Sequence, residues 1–516
     1  MNNLNPSRKL AARPHAGCFL ARFMLFGMPA VLIPALLMLV LAGGATASAQ
    51  VVTNSADSGP DTLRSALTNA ASGAVITFDP SLSGATITLS NTLTINTNLT
   101  IDASALPGRL QINGNGSVQI FNVASNTVVF LNSLAITNGY IPISYGTNNG
   151  GGILNYGKLT LSNCTLSGNS AYYDLGGGIY NGGTLTLNQC TLSGNIAYYG
   201  GGIYNGGLLT LNQCTLFGNS AGEGGGGGVN NNGTLTLTNC ILSGNSSTYG
   251  GGIANQGTLT LNQCTLSGNS APDQGGYSGQ GGGINNTGGI NNYGTLTLNQ
   301  CTLSGNSATY GGGIVIGVGP LVIINTIVGG NSGGPGADIF IYTSGTLTCG
   351  GSNLVQSVYF TSSGSFTGPA PLTNAPNLAP LGNYGGPTQT MPPLPGSPAI
   401  GAGSVAANTF STDQRGYSRT QNGLIDIGAV ELQSPAANPP VLENITVPAG
   451  GGNGLQFTFT NAPAADFTVL TATNVSLALT NWTVLGEVQQ VAPGQYQFTD
   501  PQAATNTGRF YRVRSP

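Results

Sequence analysis

Between Gly150 and about Ile316 the chain repeats one unit, typified by GGGIYNGGTLTLNQCTLSGNSA, and no other feature narrows its possible folds as much. Cys164, Cys190, Cys214, Cys240, Cys264 and Cys301 follow one another at steps of 26, 24, 26, 24 and 37 residues. Ile153, Ile179, Ile203, Val229, Ile253, Ile284 and Ile314 keep nearly the same rhythm, and the long last step holds a local duplication, GGGINNTGGINN. Each unit carries three short segments, GGIYN, TLTL and CTLSGN. Alternation over so few residues marks a strand, because an amphipathic helix needs a longer stretch with helical spacing. Three such strands cannot bury an apolar face alone. Each unit therefore has to wind into a coil and stack on the next, with parallel strands at about 4.8 Å. Ile179, Leu185, Leu187, Cys190 and Leu192 are expected inward, while Thr184 and Thr186 face water.

Two sets of asparagines share this period. Asn155, Asn181, Asn205, Asn231, Asn255 and Asn286 fall two residues after the Ile or Val, and Asn169, Asn195, Asn219, Asn245, Asn269 and Asn306 close each LSGN or its variant. Amides at one coil position can hydrogen-bond to the coils above and below, so a structural ladder is expected, with direct ligand binding as the alternative. The six repeat cysteines fall in one inward column. They lack the close C-x-x-C pairs and the histidine that zinc sites favour. Parallel side chains also hold their Cβ atoms about 4.8 Å apart, beyond the usual disulfide separation of about 3.8 Å, so a buried ladder of reduced thiols is expected.

Composition and the N-terminus bear on location. Arg8, Lys9, Arg13 and Arg22, the apolar run FMLFGMPAVLIPALLMLVLA and Ala47-Ser48-Ala49 have the order of a signal peptide, so cleavage is expected near Ala49; a retained membrane anchor is the alternative. Beyond residue 49 eight Lys and Arg stand against 15 Asp and Glu, about −7 in net charge, which argues against nucleic acid as a partner. The only histidine, His15, lies within the leader.

The GGGI and LSGN halves of the repeat, over residues 150 to about 316, resemble the GGAI and FxxN repeats of the chlamydial polymorphic outer membrane proteins. That resemblance implies a right-handed parallel β-helix exposed outside the cell. Leu or Ile replaces most of the Phe, and no C-terminal membrane barrel follows. Residues 376–431, PNLAPLGNYGGPTQTMPPLPGSPAIGAGS followed by DQRGYSR and DIGAVE, resemble the choice-of-anchor Q domain of bacterial surface proteins, and VVTNSADSGPDTLRSAL resembles the usual start of such proteins. This second resemblance implies a surface location and no particular activity.

The expected organisation is all-β. A signal peptide occupies 1–49; a right-handed parallel β-helix of about a dozen coils spans 50–360; a choice-of-anchor Q-like closing segment spans 361–434. After the stiff linker PAANPP (435–440), a small C-terminal antiparallel β-sandwich, broadly like fibronectin type III, spans 441–516. DTLRSALTNAA (61–71) places Leu63, Ala66, Leu67 and Ala70 on one helical face, suited to capping the first coil, with Pro60 and Asp61 at its start. Trp482, the one Trp, is expected as a core anchor of the sandwich, a sugar platform being the alternative.

For function, an exported, cell-surface, non-catalytic adhesin or glycan-binding scaffold is set against a polysaccharide lyase or glycoside hydrolase of the parallel β-helix type. Between Gly150 and Ile316 the charged residues are Lys158, Asp174, Glu223 and Asp273, at different coil positions and in no cluster. Carbohydrate cleavage needs converging carboxylates, or a carboxylate-bound Ca²⁺ with a strong base, so no catalytic residue is assigned. No cofactor or metal is expected; GGPGADIFI (333–341) matches one calcium nonapeptide, but calcium rolls need successive copies. Asp413, Arg415, Arg419, Asp426 and Glu431 are expected to pair and fix the closing segment, ligand binding being the alternative. Tyr172, Tyr173, Tyr198, Tyr199, Tyr249 and Tyr310, just before the glycines of their coils, are the candidate contacts to a polysaccharide or cell-surface component; packing of these rings on each other is the alternative. The mature chain is expected to be a monomer without a membrane span.

Overall fold

The computed structural model describes residues 49–142, 149–272, 284–286, 294–317, 319–342, 344–361, 364–433, 442–446, 454–461, 467–477, 481–492, 495–500, 503 and 509–514. The repeat winds into a right-handed parallel β-helix of about 11 turns, close to the dozen expected. Three long parallel sheets form its faces: a first of 13 strands, from Ala49–Val52 to Ser365–Thr367, and a second and a third of 11 strands each. One coil shows how the sequence makes them. Ile179–Asn181 lies in the second sheet, Thr184–Asn188 in the first and Thr191–Ser193 in the third. Leu185 and Leu187 stack on Leu209 and Leu211 of the next coil, and Leu192 stacks on Leu216. All of them are fully buried, whereas Thr184 and Thr186 are half-exposed, so strand alternation alone sets the inside.

The corner between first and third sheets is turned by a residue in the left-handed region: Asn163, Gln189, Gln213, Asn239, Gln263, Gln300 and Asn325 have φ between 47° and 54°. The next side chain closes that corner. Cys214 Sγ donates to the carbonyls of Asn212 and Leu187, at 3.3 and 3.4 Å, and accepts the Cys190 amide at 3.5 Å. Thr326 does the same for the Cys301 amide, through Oγ1 at 3.2 Å. The column is thus a set of turn-closing hydrogen bonds that a hydroxyl also makes, and not merely apolar filling. All six thiols are free and buried, and burial pushes those of Cys164, Cys214 and Cys264 well up.

Both asparagine sets form hydrogen-bonded ladders inside the coils. Asn155, Asn181, Asn205 and Asn231 each donate Nδ2 to the Oδ1 one coil on, at 2.7–2.8 Å. The side chain of Asn286 lies outside the described residues. In the second ladder Asn169, Asn195, Asn219, Asn245, Asn269 and Asn306 each donate Nδ2 onward at 2.8–2.9 Å. Asn331 continues it and ends it on Asp338 Oδ1, at 2.9 Å. An acceptor-only carboxylate terminates a row of aligned donors.

The helix Leu63–Asn69 sits at the N-terminal end and buries Leu63, Ala66 and Leu67. Its cap is Thr62, which accepts from the Ser65 amide; Asp61, expected with Pro60 at the helix start, has φ 58° and precedes the cap. Residues 368–433, after the last first-sheet strand, have little regular structure and run back along the third sheet. Asn325 exchanges hydrogen bonds with the Ser404 backbone, Gln300 donates to Asn408 Oδ1 at 2.7 Å, and Gln263 donates to the Thr412 carbonyl. The C-terminal part pairs antiparallel strands in two sheets, one around Leu455–Thr460 and Gln495–Asp500, the other around Thr468–Ala472. Phe457, Phe459, Phe467, Val469 and Tyr496 form its core. Trp482 packs on Leu470 and Ala472 and donates Nε1 to the Leu477 carbonyl at 3.0 Å, a core position. Among the described residues no helix is long and apolar enough to cross a membrane.

Candidate functional site

Three successive coils extend a ledge before their glycine corners. Ser170–Leu175, Ile196–Tyr199 and Ser220–Gly225 pair in parallel as a short separate sheet. The ledge forms because the residue after the ladder asparagine keeps extending outward, with Ala171, Ala197 and Ile141 as its small apolar interior. The chain then returns across glycine: a Cβ on Gly177 would meet the Ile196 carbonyl, so only glycine admits the next coil's ledge there.

Four of the six candidate tyrosines meet on this ledge. Tyr172 and Tyr173 are 57% and 45% exposed, edge to face, with centroids 4.9 Å apart and planes at 76°. One coil on, Tyr198 and Tyr199 repeat the arrangement at 5.0 Å and 71°. In an edge-to-face pair one ring keeps a face available to solvent. Tyr249 is half-buried beside Gly225, at the end of the ledge, and its carbonyl accepts from the Gly226 amide. Tyr310 belongs to a different group, 5.4 Å from Phe340, which in turn stacks on Tyr359 at 5.5 Å.

A second tyrosine column, outside the expected contacts, runs along the second sheet. Tyr180 and Tyr204, the middle residues of the IYN strands, point outward from the second sheet and stack at 5.3 Å with planes 5° apart; Tyr156 meets Tyr180 at 5.8 Å. The signal was present, since Ile and Asn on either side point inward and alternation sends Tyr out. Parallel rings stacked coil on coil cover each other's faces and offer edges, so this column packs and the ledge presents faces. Burial pushes the Tyr180 and Tyr204 phenols up.

The carboxylates separate as well. Asp174 is buried on the first ledge strand, and Glu223 is on the third, two coils on or about 10 Å along the axis. They share the ledge although they occupy different positions along its strands. Lys158 is exposed at the start of a first-sheet strand. The side chain of Glu223 and all of Asp273 lie outside the described residues. Asp338, in the calcium-like nonapeptide, has both oxygens engaged: Oδ1 accepts from Asn331, and Oδ2 from Ser357 Oγ at 3.0 Å. Among the described residues no three His, Cys, Asp or Glu side chains gather as a metal site requires.

The charged residues of the closing segment form a buried network. Arg415 Nε reaches Asp413 Oδ2 at 3.0 Å, and its other nitrogens donate to the Tyr384 and Glu431 carbonyls. Arg419, fully buried, donates to the Asp426 and Gly428 carbonyls at 2.8 and 2.6 Å and stands 3.8 Å from Glu431 Oε2. Asp426 accepts from the Gly401 and Leu432 amides. Three carboxyls thus share two guanidiniums. Burial, reinforced by the neighbouring Asp426, pushes Glu431 up to about 8, so it holds its proton at neutral pH and the network is close to neutral. Its bonds fold the closing segment on itself.

No family model, curated protein or solved structure matches this chain.

Proposed function

We propose that the chain is an exported surface protein that binds neutral polysaccharide through the tyrosine ledge and does not cleave it. The observation that carries this reading is the edge-to-face tyrosine pair repeated on successive coils of a rigid solenoid, exposed at Tyr172 and Tyr173 and half-buried at Tyr198 and Tyr199. Each pair offers a weak carbon-rich face with hydroxyls at its rim, and contacts repeated at the coil spacing add through multivalency. The signal-like N-terminus and the choice-of-anchor Q resemblance support the external address. Asp174 is buried and lies two coils from Glu223 at a different strand position, which supports binding over catalysis, because hydrolysis needs two accessible carboxyl groups at a set separation.

Affinity electrophoresis in gels containing xyloglucan, galactomannan or glucan tests the proposal. We expect retardation by at least one polymer, and replacement of Tyr172, Tyr173, Tyr198 and Tyr199 by Ser should weaken it about tenfold or more. Unchanged retardation removes the ledge from the reading. Release of reducing ends or unsaturated sugars, abolished by Asp174→Asn, overturns the non-catalytic assignment.

A further inference from the structure

We propose that the cleft between the closing segment and the C-terminal sandwich is a second binding site, for a short neutral saccharide such as the end of a glycan chain. It encloses about 630 Å³ and so falls in the size range of small-ligand sites. Tyr417 is its aromatic platform. The Arg415 guanidinium lies 4.7 Å from the centroid of that ring, and Arg415 is itself held by Asp413 and by two backbone carbonyls. Gly385, at φ 90°, lies so close that a Cβ there would strike the Tyr417 phenol. The ring is therefore preorganised by a buried network, which lowers the ordering cost of binding.

Pro392, Pro393 and Leu394 line one side of the cleft, and Phe467 and Tyr496 of the sandwich line another. Glu487, Gln490 and Arg514 supply its polar groups, and Tyr384 lies near enough to Glu487 to feel its charge. The chemistry selects an amphiphilic ring. A purely apolar ligand would strip water from a carboxylate, an amide and a guanidinium with nothing in return. Glu487 stands against Arg514 in the lining and Asp413 offsets Arg415, so a strongly charged ligand meets no excess of either sign. A pyranose has a C–H face for the tyrosine and a hydroxyl edge for the polar groups. The site does not depend on the ledge, which suits a polymer lying along the coils.

Titration calorimetry of the whole chain with cellobiose, diacetylchitobiose, maltose and lactose, and with a tetraproline peptide for comparison, tests the assignment. We expect at least one disaccharide to bind with a Kd of about 1 mM or below. Tyr417→Ala should weaken it about tenfold or more; Glu487→Gln and Gln490→Ala, at exposed positions, should weaken it about threefold each, with unfolding midpoints measured alongside. The ledge variant should bind the same disaccharide unchanged, which separates this site from the polymer reading. Absence of heat for every disaccharide at about 10 mM, binding indifferent to Glu487→Gln and Gln490→Ala, or binding of the peptide alone overturns the proposal.

Discussion

The third sheet passes through two environments while its sequence hardly changes. Its outward column reads Thr165, Thr191, Thr215, Ile241, Thr265, Thr302, Ile327. The first three are half-exposed; the last four are at most 1% exposed, because the closing segment lies over them. The turn residues divide the same way. Gln189 is exposed and donates to Gln213, whereas Gln263 and Gln300 are buried and bond to residues more than a hundred positions later. The inside of the solenoid does not register the difference: Asn195, in the open part, and Asn269, in the covered part, make the same set of hydrogen bonds. The repeat fixes what lies within a coil, and a distant segment decides what lies outside it.

The largest effect should come from the shared interior. Asn195 and Asn269 each accept the amide of the preceding asparagine and donate to a leucine carbonyl of the preceding coil. Leucine at either position orphans several buried groups, each costing about 1–3 kcal/mol. Asn195→Leu and Asn269→Leu should each lose about 3 kcal/mol or more, equally within error, in urea denaturation followed by circular dichroism. A much milder loss at Asn195 would mean that the covering segment, and not the ladder, holds the coils.

This division also explains what was legible in the sequence. The period gave the coils, the inward Ile, Leu and Cys, and both ladders, because a residue's neighbours in a stack are its own equivalents. The exterior was harder, since Gln414 reaches Thr265 and the Cys240 carbonyl across 149 and 174 residues, and no period links them. Yet Ile241 and Ile327, isoleucines in a threonine column, marked the covered coils. Tyr180 and Tyr204 were equally readable from alternation. The ledge strand was not legible, because AYY recurs in only two coils, is replaced by AGEGG in the third, and is too short to mark an extra strand.

A second test uses the closing segment alone. Glu431 is protonated in the fold up to about pH 8 but titrates near the ordinary glutamate value once unfolded. A raised folded pKa stabilises fully below the unfolded value, and that stabilisation is lost as pH rises through the folded one. Hydrogen exchange corrected for intrinsic rate should therefore show the closing segment loosening between about pH 5 and 8, with the open coils unchanged. Glu431→Gln, which keeps a neutral side chain, should flatten that dependence. Equal pH dependence in both regions would place its origin elsewhere.

The smallest effect is the most direct probe of the comparison. Thr265 Oγ1 donates to Gln414 Oε1 at 2.6 Å in a fully buried contact, and Thr191 occupies the same strand position half-exposed. Valine matches threonine in shape and removes only the hydroxyl. Thr265→Val leaves a buried amide oxygen without that donor and should cost about 1–2 kcal/mol. At position 191 the hydroxyl is within reach of water and valine is at least as good a strand former, so Thr191→Val should stay within about 0.5 kcal/mol of the parent. Gln414 Nε2 also donates to Thr388 Oγ1 and the Cys240 carbonyl, so Gln414→Leu should destabilise in either background, but less when added to Thr265→Val, where the Oε1 contact is already lost, than when added to Thr191→Val. Unfolding midpoints of the four variants read this directly, and equal costs at 191 and 265 would mean that the closing segment does not rest on the third sheet in solution.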